Sequence, residues 1–147
     1  MRRSERSINL TYLRSAGFKR IGYWEFTRNS TLKLKKTRRF DEKTPAIYLF
    51  VIKGTIHYVG KSEGIQARFT QYVRGVTKGN RKVDKGIVDA LNDGDEVGVY
   101  ILAIPKQQMF WKKGLPVYFL SCLEDGLIKH VESTWNRREK DNIAPSV

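Results

Sequence analysis

Residues 46–72, AIYLFVIKGTIHYVGKSEGIQARFTQY, constrain the fold more than any other stretch of the chain. Ile47 to Ile52 is an unbroken run of aliphatic and aromatic side chains, and Thr55 to Val59 resumes it after Lys53-Gly54. Two short apolar runs joined by two residues ending in glycine predict a β-hairpin. Gly60-Lys61-Ser62-Glu63-Gly64 then ends the second strand in a loop, and the apolar spacing from Ile65 to Val73 predicts a helix. Arg68 and Tyr72 stand four residues apart on that helix and share a face.

The flanking sequence supplies further elements. Ile8, Leu10, Tyr12, Leu13 and Ala16 predict a helix with Ser7 as its N-cap and Gly17 as its stop. Residues 23–28 and 31–36 predict a second hairpin around Asn29-Ser30. There Leu32 and Leu34 face one way and Lys33 and Lys35 the other, which fits two readings: an edge strand guarded by lysines, and a basic ribbon lying on phosphates. Residues 74–82, RGVTKGNRK, read as a basic, glycine-containing loop. Ile87, Val88 and Leu91 predict a helix over 83–92 closed by Gly94, and the almost wholly apolar 96–104 predicts a third, central strand. Residues 105–116 read as a loop carrying Met109, Phe110, Trp111, Lys112 and Lys113. Leu120, Leu123, Leu127 and Val131 predict a second main helix over 117–133, with Glu124 at the border of its apolar face. The tail after Arg138 is polar.

Charge points to the class of partner. The chain has 147 residues, 28 Lys+Arg and 15 Asp+Glu, a formal net charge of +13. Residues 1–45 hold 13 of the cations and only 4 of the acids, so charge is concentrated ahead of the hairpin. Such a balance suits a polyanion, and nucleic acid is the commonest one. No run of 18 apolar residues and no apolar stretch after the N-terminal arginines is present, which predicts neither a membrane span nor a signal peptide. The single Cys122 cannot form an internal disulfide and fits an intracellular, cytoplasmic chain. One cysteine and two histidines do not supply a structural zinc site.

Five pieces, in order and at compatible spacing over roughly residues 45–137, resemble the GIY-YIG nuclease superfamily. Ala46-Ile47-Tyr48 stands for Gly-Ile-Tyr, and Tyr58-Val59-Gly60 for Tyr-Ile-Gly. Arg68 falls at the family arginine, and Tyr72 at its His or Tyr. Glu124, within Leu123 to Ile128, matches the metal-binding glutamate. Trp135-Asn136 matches the terminal Trp-Asn. Ala46 for Gly and the lack of a proline before Trp135 depart from the pattern, and neither replaces a catalytic side chain.

The resemblance implies a metal-dependent DNA endonuclease of restriction or phage type, with Tyr48, Tyr58, Arg68, Tyr72 and Glu124 as catalytic residues. Glu124 would hold one Mg²⁺ or Mn²⁺ per site, a hard cation that takes oxygen ligands. Arg68 suits the scissile phosphate, because guanidinium stays charged and binds phosphate oxygens in pairs. Tyr48 would activate or orient water, its phenol lowered by Lys61 and Arg68. Lys61, Arg74, Lys78, Arg81, Lys82 and Asn136 are the expected substrate contacts. Double-stranded DNA is the expected partner, and cutting both strands requires a homodimer or two visits. The rival reading keeps the scaffold as a non-catalytic, basic nucleic-acid-binding protein. The expected fold class is α/β of the mixed α+β kind: a small, mainly antiparallel three-stranded sheet flanked by helices, with a basic N-terminal extension. Residues 1–44 form that extension, packed on a nuclease-like domain at 45–147.

Overall fold

The computed structural model describes residues 8–78, 81–104 and 109–136, the side chains of 75–78, 109–112 and 117 excepted. The hairpin forms as β3 (Ala46–Ile52) and β4 (Thr55–Ser62). Lys53 and Gly54 both take positive φ, 51° and 77°, the requirement of the tight turn whose twist matches the strands. Every residue of β3 is buried. A strand buried on both faces needs neighbours on both sides, and β3 pairs with β4 on one side and β5 (Val97–Ala103) on the other.

The sheet is larger than expected. It has five strands, all antiparallel, in the order β2-β1-β5-β3-β4, with β1 at Lys19–Phe26 and β2 at Leu32–Lys36. The expected three-stranded sheet with a basic N-terminal extension is therefore corrected. β1 pairs with β5 from Lys19↔Ile101 to Trp24↔Val97, so the N-terminal hairpin completes the sheet. The physical reason lies in Ile21, Trp24 and Leu32, which bury into the same core as β3 and pull the hairpin in with them.

Two apolar layers cover the two faces. On one, Tyr48, Phe50, Ile21, Trp24 and Val99 pack against Ile65, Phe69 and Tyr72 of α2 (Ile65–Lys78) and Val83 and Ile87 of α3 (Lys82–Asn92). On the other, Ile47, Leu49, Val59 and Tyr100 pack against Leu13 of α1 (Leu10–Ser15) and Leu120 and Leu127 of α4 (Phe119–His130). The alternation of strand side chains sends even and odd positions of β3 to opposite layers.

Several local expectations shift. α1 is capped by Asn9, whose side chain accepts from the Tyr12 backbone at 2.9 Å, while Ser7 lies outside the described residues. The stretch 74–82 is largely helix: α2 runs on to Lys78 and α3 begins at Lys82, with residues 79 and 80 not described. Residues 109–118 form a small hairpin, β6 (Met109–Lys112) and β7 (Leu115–Tyr118), instead of an irregular loop, and residues 105–108 are not described. α4 ends at His130, and a 3-10 turn at Thr134–Asn136 follows. The tail from residue 137 lies outside the described residues.

That turn locks to α3. A Cβ at Gly86 would stand 2.6 Å from Trp135 Nε1, so only glycine lets the indole seat against the helix. In an open helix Gly→Ala gains about 1 kcal/mol. Here Gly86→Ala is expected to lose ~1–3 kcal/mol through overpacking. On a Trp135→Ala background the same change is expected to stabilise. Denaturant unfolding of the four proteins in this cycle measures the reversal.

Candidate active site

The site is built on the β3–β4 hairpin, with Tyr72 of α2 packed over it. Strand register sets its base: Tyr48 opposes Gly60, and Phe50 opposes Tyr58. A Cβ at position 60 would stand 2.5 Å from the Tyr48 hydroxyl, so the ring occupies the space a side chain would take. Tyr48 and Tyr58 share a face, with ring centroids 6.0 Å apart. Tyr72 rises from α2 to meet them, and the Tyr48 and Tyr72 hydroxyls share a 2.7 Å hydrogen bond. Phe50, Phe69 and Trp24 complete the aromatic floor; the Trp24 ring lies 5.3 Å from Phe69 and 6.1 Å from Tyr72.

Burial dominates the chemistry of two of the three phenols. Tyr48 is 1% exposed and Tyr72 0%. Desolvation holds the Tyr48 phenol far above its ordinary value of 10.0, with the neighbouring Tyr58 adding to the rise. The hydrogen bond from Tyr72 and the charge of Arg68 pull it down, and Glu124 pushes it up, all by less. Tyr72 is raised too, by burial first and then by Tyr48 and Tyr58. The expected lowering of Tyr48 by cations is thus reversed in net direction, because a buried phenolate loses more hydration than a partly solvated arginine returns. Tyr58 is half-buried and is the phenol of the three that solvent reaches.

Arg68 and Glu124 approach from opposite layers. Arg68 stands on α2, half-buried, and donates to Gln71 Oε1 at 3.2 Å. Glu124 stands on α4, also half-buried, beyond the edge of the sheet. Both act on the Tyr48 phenol, Arg68 lowering it and Glu124 raising it. Lys61, next to Gly60, donates to Ser121 Oγ of α4 at 2.6 Å, tying the loop end of β4 to the helix that carries Glu124.

The remaining expected contacts divide. Arg74 and Lys82 are exposed near the facing ends of α2 and α3, and the Lys78 side chain lies outside the described residues. Arg81 is engaged internally. Its Nε and an Nη donate to the two oxygens of buried Asp84 at 2.8 and 2.9 Å, and its guanidinium sits 4.7 Å over the Tyr72 ring. Asn136 is engaged as well. Its amide accepts from the Val59 N–H at 2.7 Å and donates to the Val59 carbonyl at 2.8 Å, while Ser133 Oγ donates to its oxygen at 2.5 Å. One side chain thereby reproduces the pairing of a sixth strand at the open edge of β4.

Asp84, Ser121 and Ser133 are the partners that sequence reasoning missed. Arg81 and Asp84 carried a signal, since opposite charges three residues apart meet on a helix. Ser121 carried none, because its partner Lys61 lies far away in the chain, and Ser133, though only three residues from Asn136, sits in a turn that no helical periodicity marks.

The two buried phenols set an alkaline limit. The folded state keeps their protons above pH 10, whereas the unfolded chain releases them near the ordinary value of 10.0. Stability is therefore intact below pH 10 and falls above it, by about 1.4 kcal/mol per pH unit for each phenol. Absorbance titration of the seven tyrosines is expected to leave two that ionise only as the fold is lost. Ionisation of all seven in one reversible step near pH 10 contradicts this geometry.

No family profile and no curated protein matches the chain. Solved structures do match its fold. A mutant of bacteriophage T4 EndoII superposes with a TM-score of 0.68 at 16% identity, covering 88% of this chain and 100% of the other. The restriction endonuclease HPY188I, in complex with product DNA, superposes with a TM-score of 0.52 at 19% identity, covering 85% of this chain and 79% of the other. At this identity the likeness is one of fold: the chain folds as two phage and restriction proteins do.

Proposed function

We propose that this chain is a DNA endonuclease of the GIY-YIG type that hydrolyses phosphodiester bonds at the β4 edge. The observation that carries the reading is the cluster of Tyr48, Tyr58 and Tyr72 at the β3–β4 hairpin, with Arg68 on the helix that covers one face of the sheet and Glu124 on the helix that covers the other. An arginine can offset the charge that grows on a phosphate, and a carboxylate can hold a cation, so the two together suit phosphodiester hydrolysis. The fold supports it, since HPY188I is a restriction endonuclease bound to its product DNA. The charge of +13 supports a nucleic-acid substrate.

The donor set fits one hard divalent cation. Among the described residues no three His, Cys, Asp or Glu side chains cluster as a cage. Mg²⁺ or Mn²⁺ needs no cage, because it keeps several waters and takes one or two carboxylates plus substrate phosphate. Glu124 would hold it. When bound, the cation offsets charge on the phosphate and on the leaving oxygen.

The chain's own residues do the positioning. Arg68 has five N–H donors, and its fork meets the equatorial oxygens as charge grows on them. Tyr58, the phenol within reach of solvent, donates to the phosphate and orients the attacking water. Tyr48 and Tyr72 remain protonated and buried, so they orient Tyr58 from beneath and do not abstract a proton. Lys61, Arg74 and Lys82 meet phosphates on either side, and the outer face of Arg81 adds charge. Asn136 acts through the strand it pairs with, holding the edge that carries Tyr58 and Gly60.

Glu124→Gln keeps size and removes charge. It is expected to abolish Mg²⁺-dependent nicking of plasmid DNA while leaving binding in EDTA nearly unchanged. Loss of cleavage in Glu132→Gln instead would move the metal role along the chain.

Arg68→Ala separates catalysis from binding. One preorganised donor removed costs roughly a hundred- to a thousandfold in rate. Single-turnover cleavage is expected to fall by about that factor, with affinity changed only ~threefold, as for one phosphate contact among many. Arg68→Lys is expected to rescue poorly, because a point charge does not reproduce the fork. Arg74→Ala is expected to affect binding more than rate. Wild-type cleavage by Arg68→Ala would favour the non-catalytic binding reading.

A further inference from the structure

We infer that the loop between β2 and β3, carrying Arg38, Arg39 and Lys43, is a second phosphate-binding site that grips the backbone of duplex DNA beside the cleaved bond. The inference rests on the nuclease reading for its substrate, and on the fold for its place.

Residues 28–43 carry seven cationic and two acidic side chains. The sheet separates those cations into two groups. Leu32 and Leu34 of β2 turn toward the layer of α2, packing with Ile65 and Phe69. Lys33 and Lys35 therefore turn to the opposite face, away from Arg68. Beyond Lys36 the strand ends, and Thr37, Arg38, Arg39 and Lys43 are exposed in the loop.

The loop lies at the site's own end of the sheet. It leads into β3 two residues before Tyr48, where Ala46 opposes Ser62 and Ala103. It also touches the start of α2, since the Gln66 N–H donates to the Glu42 carbonyl at 3.3 Å. Arg68 stands two residues further, a rise of about 3 Å along the helix. A DNA strand carries one phosphate every ~3.4 Å of helix axis. Two residues also turn the helix by about 200°, so the loop and Arg68 flank the first turn of α2 on different sides, close enough for one duplex to meet both.

The loop is built and not merely charged. Lys36 pairs with Glu42 across it, and Lys36 lies 5.7 Å from the centroid of the Phe40 ring, which packs on the core. Asp41 accepts from the Lys43 backbone at 2.9 Å and from the Thr44 hydroxyl at 2.7 Å, fixing the bend. Arg38 and Arg39 line clefts of about 430 and 310 Å³ on either side of Phe40, and no ion pair among the described residues includes them. The acid of the larger cleft, Glu42, is paired to Lys36, and the acid of the smaller one, Asp41, accepts from Lys43 N–H and the Thr44 hydroxyl, so the arginines beside these clefts are placed to take phosphate oxygens in pairs.

The test compares two double variants that remove equal charge: Arg38→Gln with Arg39→Gln, and Lys33→Gln with Lys35→Gln. Each is titrated in EDTA against a short labelled DNA duplex at several salt concentrations, and thermal melting checks that the fold is kept. The arginine pair is expected to weaken binding roughly tenfold or more and to lower the salt slope by about two, one for each lost phosphate contact. The lysine pair is expected to change the slope by less than about one. Equal effects from both pairs, or wild-type binding by the arginine pair, overturn the inference. Because the titration needs no cleavage, an inactive wild-type protein with the expected difference between pairs would sink the nuclease reading and leave this DNA-binding site standing.

Discussion

The contact between the Tyr48 ring and the backbone of Gly60 organises the site. It leaves no room for a side chain at position 60, so it pins β3 against β4 in one register. A slip of one residue would turn Tyr48 and Tyr58 to the other face and bring Ile47 and Val59 into the aromatic layer. With the register held, the Tyr48 hydroxyl lands 2.7 Å from that of Tyr72, and α2 is oriented by that bond and by the packing of Phe69 on Trp24. Arg68 is then aimed by the same helix. The arrangement of the phenols at the edge thus depends on a steric absence in the next strand.

The parts of the fold that were legible in sequence are local ones. The Lys53-Gly54 turn, the alternation of Leu32 and Leu34 with lysines, and the helices around Phe69 and Ile87 all follow from short-range spacing. The pairing of β1 with β5 was not legible. Trp24 meets Val97 across more than seventy intervening residues, and no periodicity encodes a partner at that range. The cationic composition of the N-terminal region also drew attention from Ile21, Trp24 and Leu32, whose burial decides where that hairpin goes. The β6–β7 hairpin has a local signal. Lys113-Gly114 repeats the chemistry of Lys53-Gly54, with φ of 53° and 75°, but Pro116 argues against a strand and hid the signal. α2 continues past Val73 through Gly75 to Lys78, although glycine costs a helix about 1 kcal/mol.

The candidate site divides in the same way. The packing of Tyr48, Tyr58 and Tyr72 together on one face follows from strand alternation and helix spacing. Their electrostatics do not. The direction of the Tyr48 phenol depends on how completely three elements bury it, and burial is a property of the packed layers. Arg81 and Asn136 show the converse: as types they suit phosphate and base contacts, yet Asp84 and Val59 engage them inside the protein. A polar side chain near a site is a ligand contact only after its internal partners are known.

The amide clasp of Asn136 on Val59 bridges 77 positions of sequence. Loops of that length close slowly, and contacts between distant residues come late in folding. A chain leaving the ribosome can form the β3–β4 hairpin early, but its outer edge stays open until the last described turn has been made. Glu124 reaches that edge scarcely sooner. The order of synthesis therefore delays assembly of the site behind that of the sheet, and a nascent or truncated chain carries the tyrosines without the carboxylate that answers them.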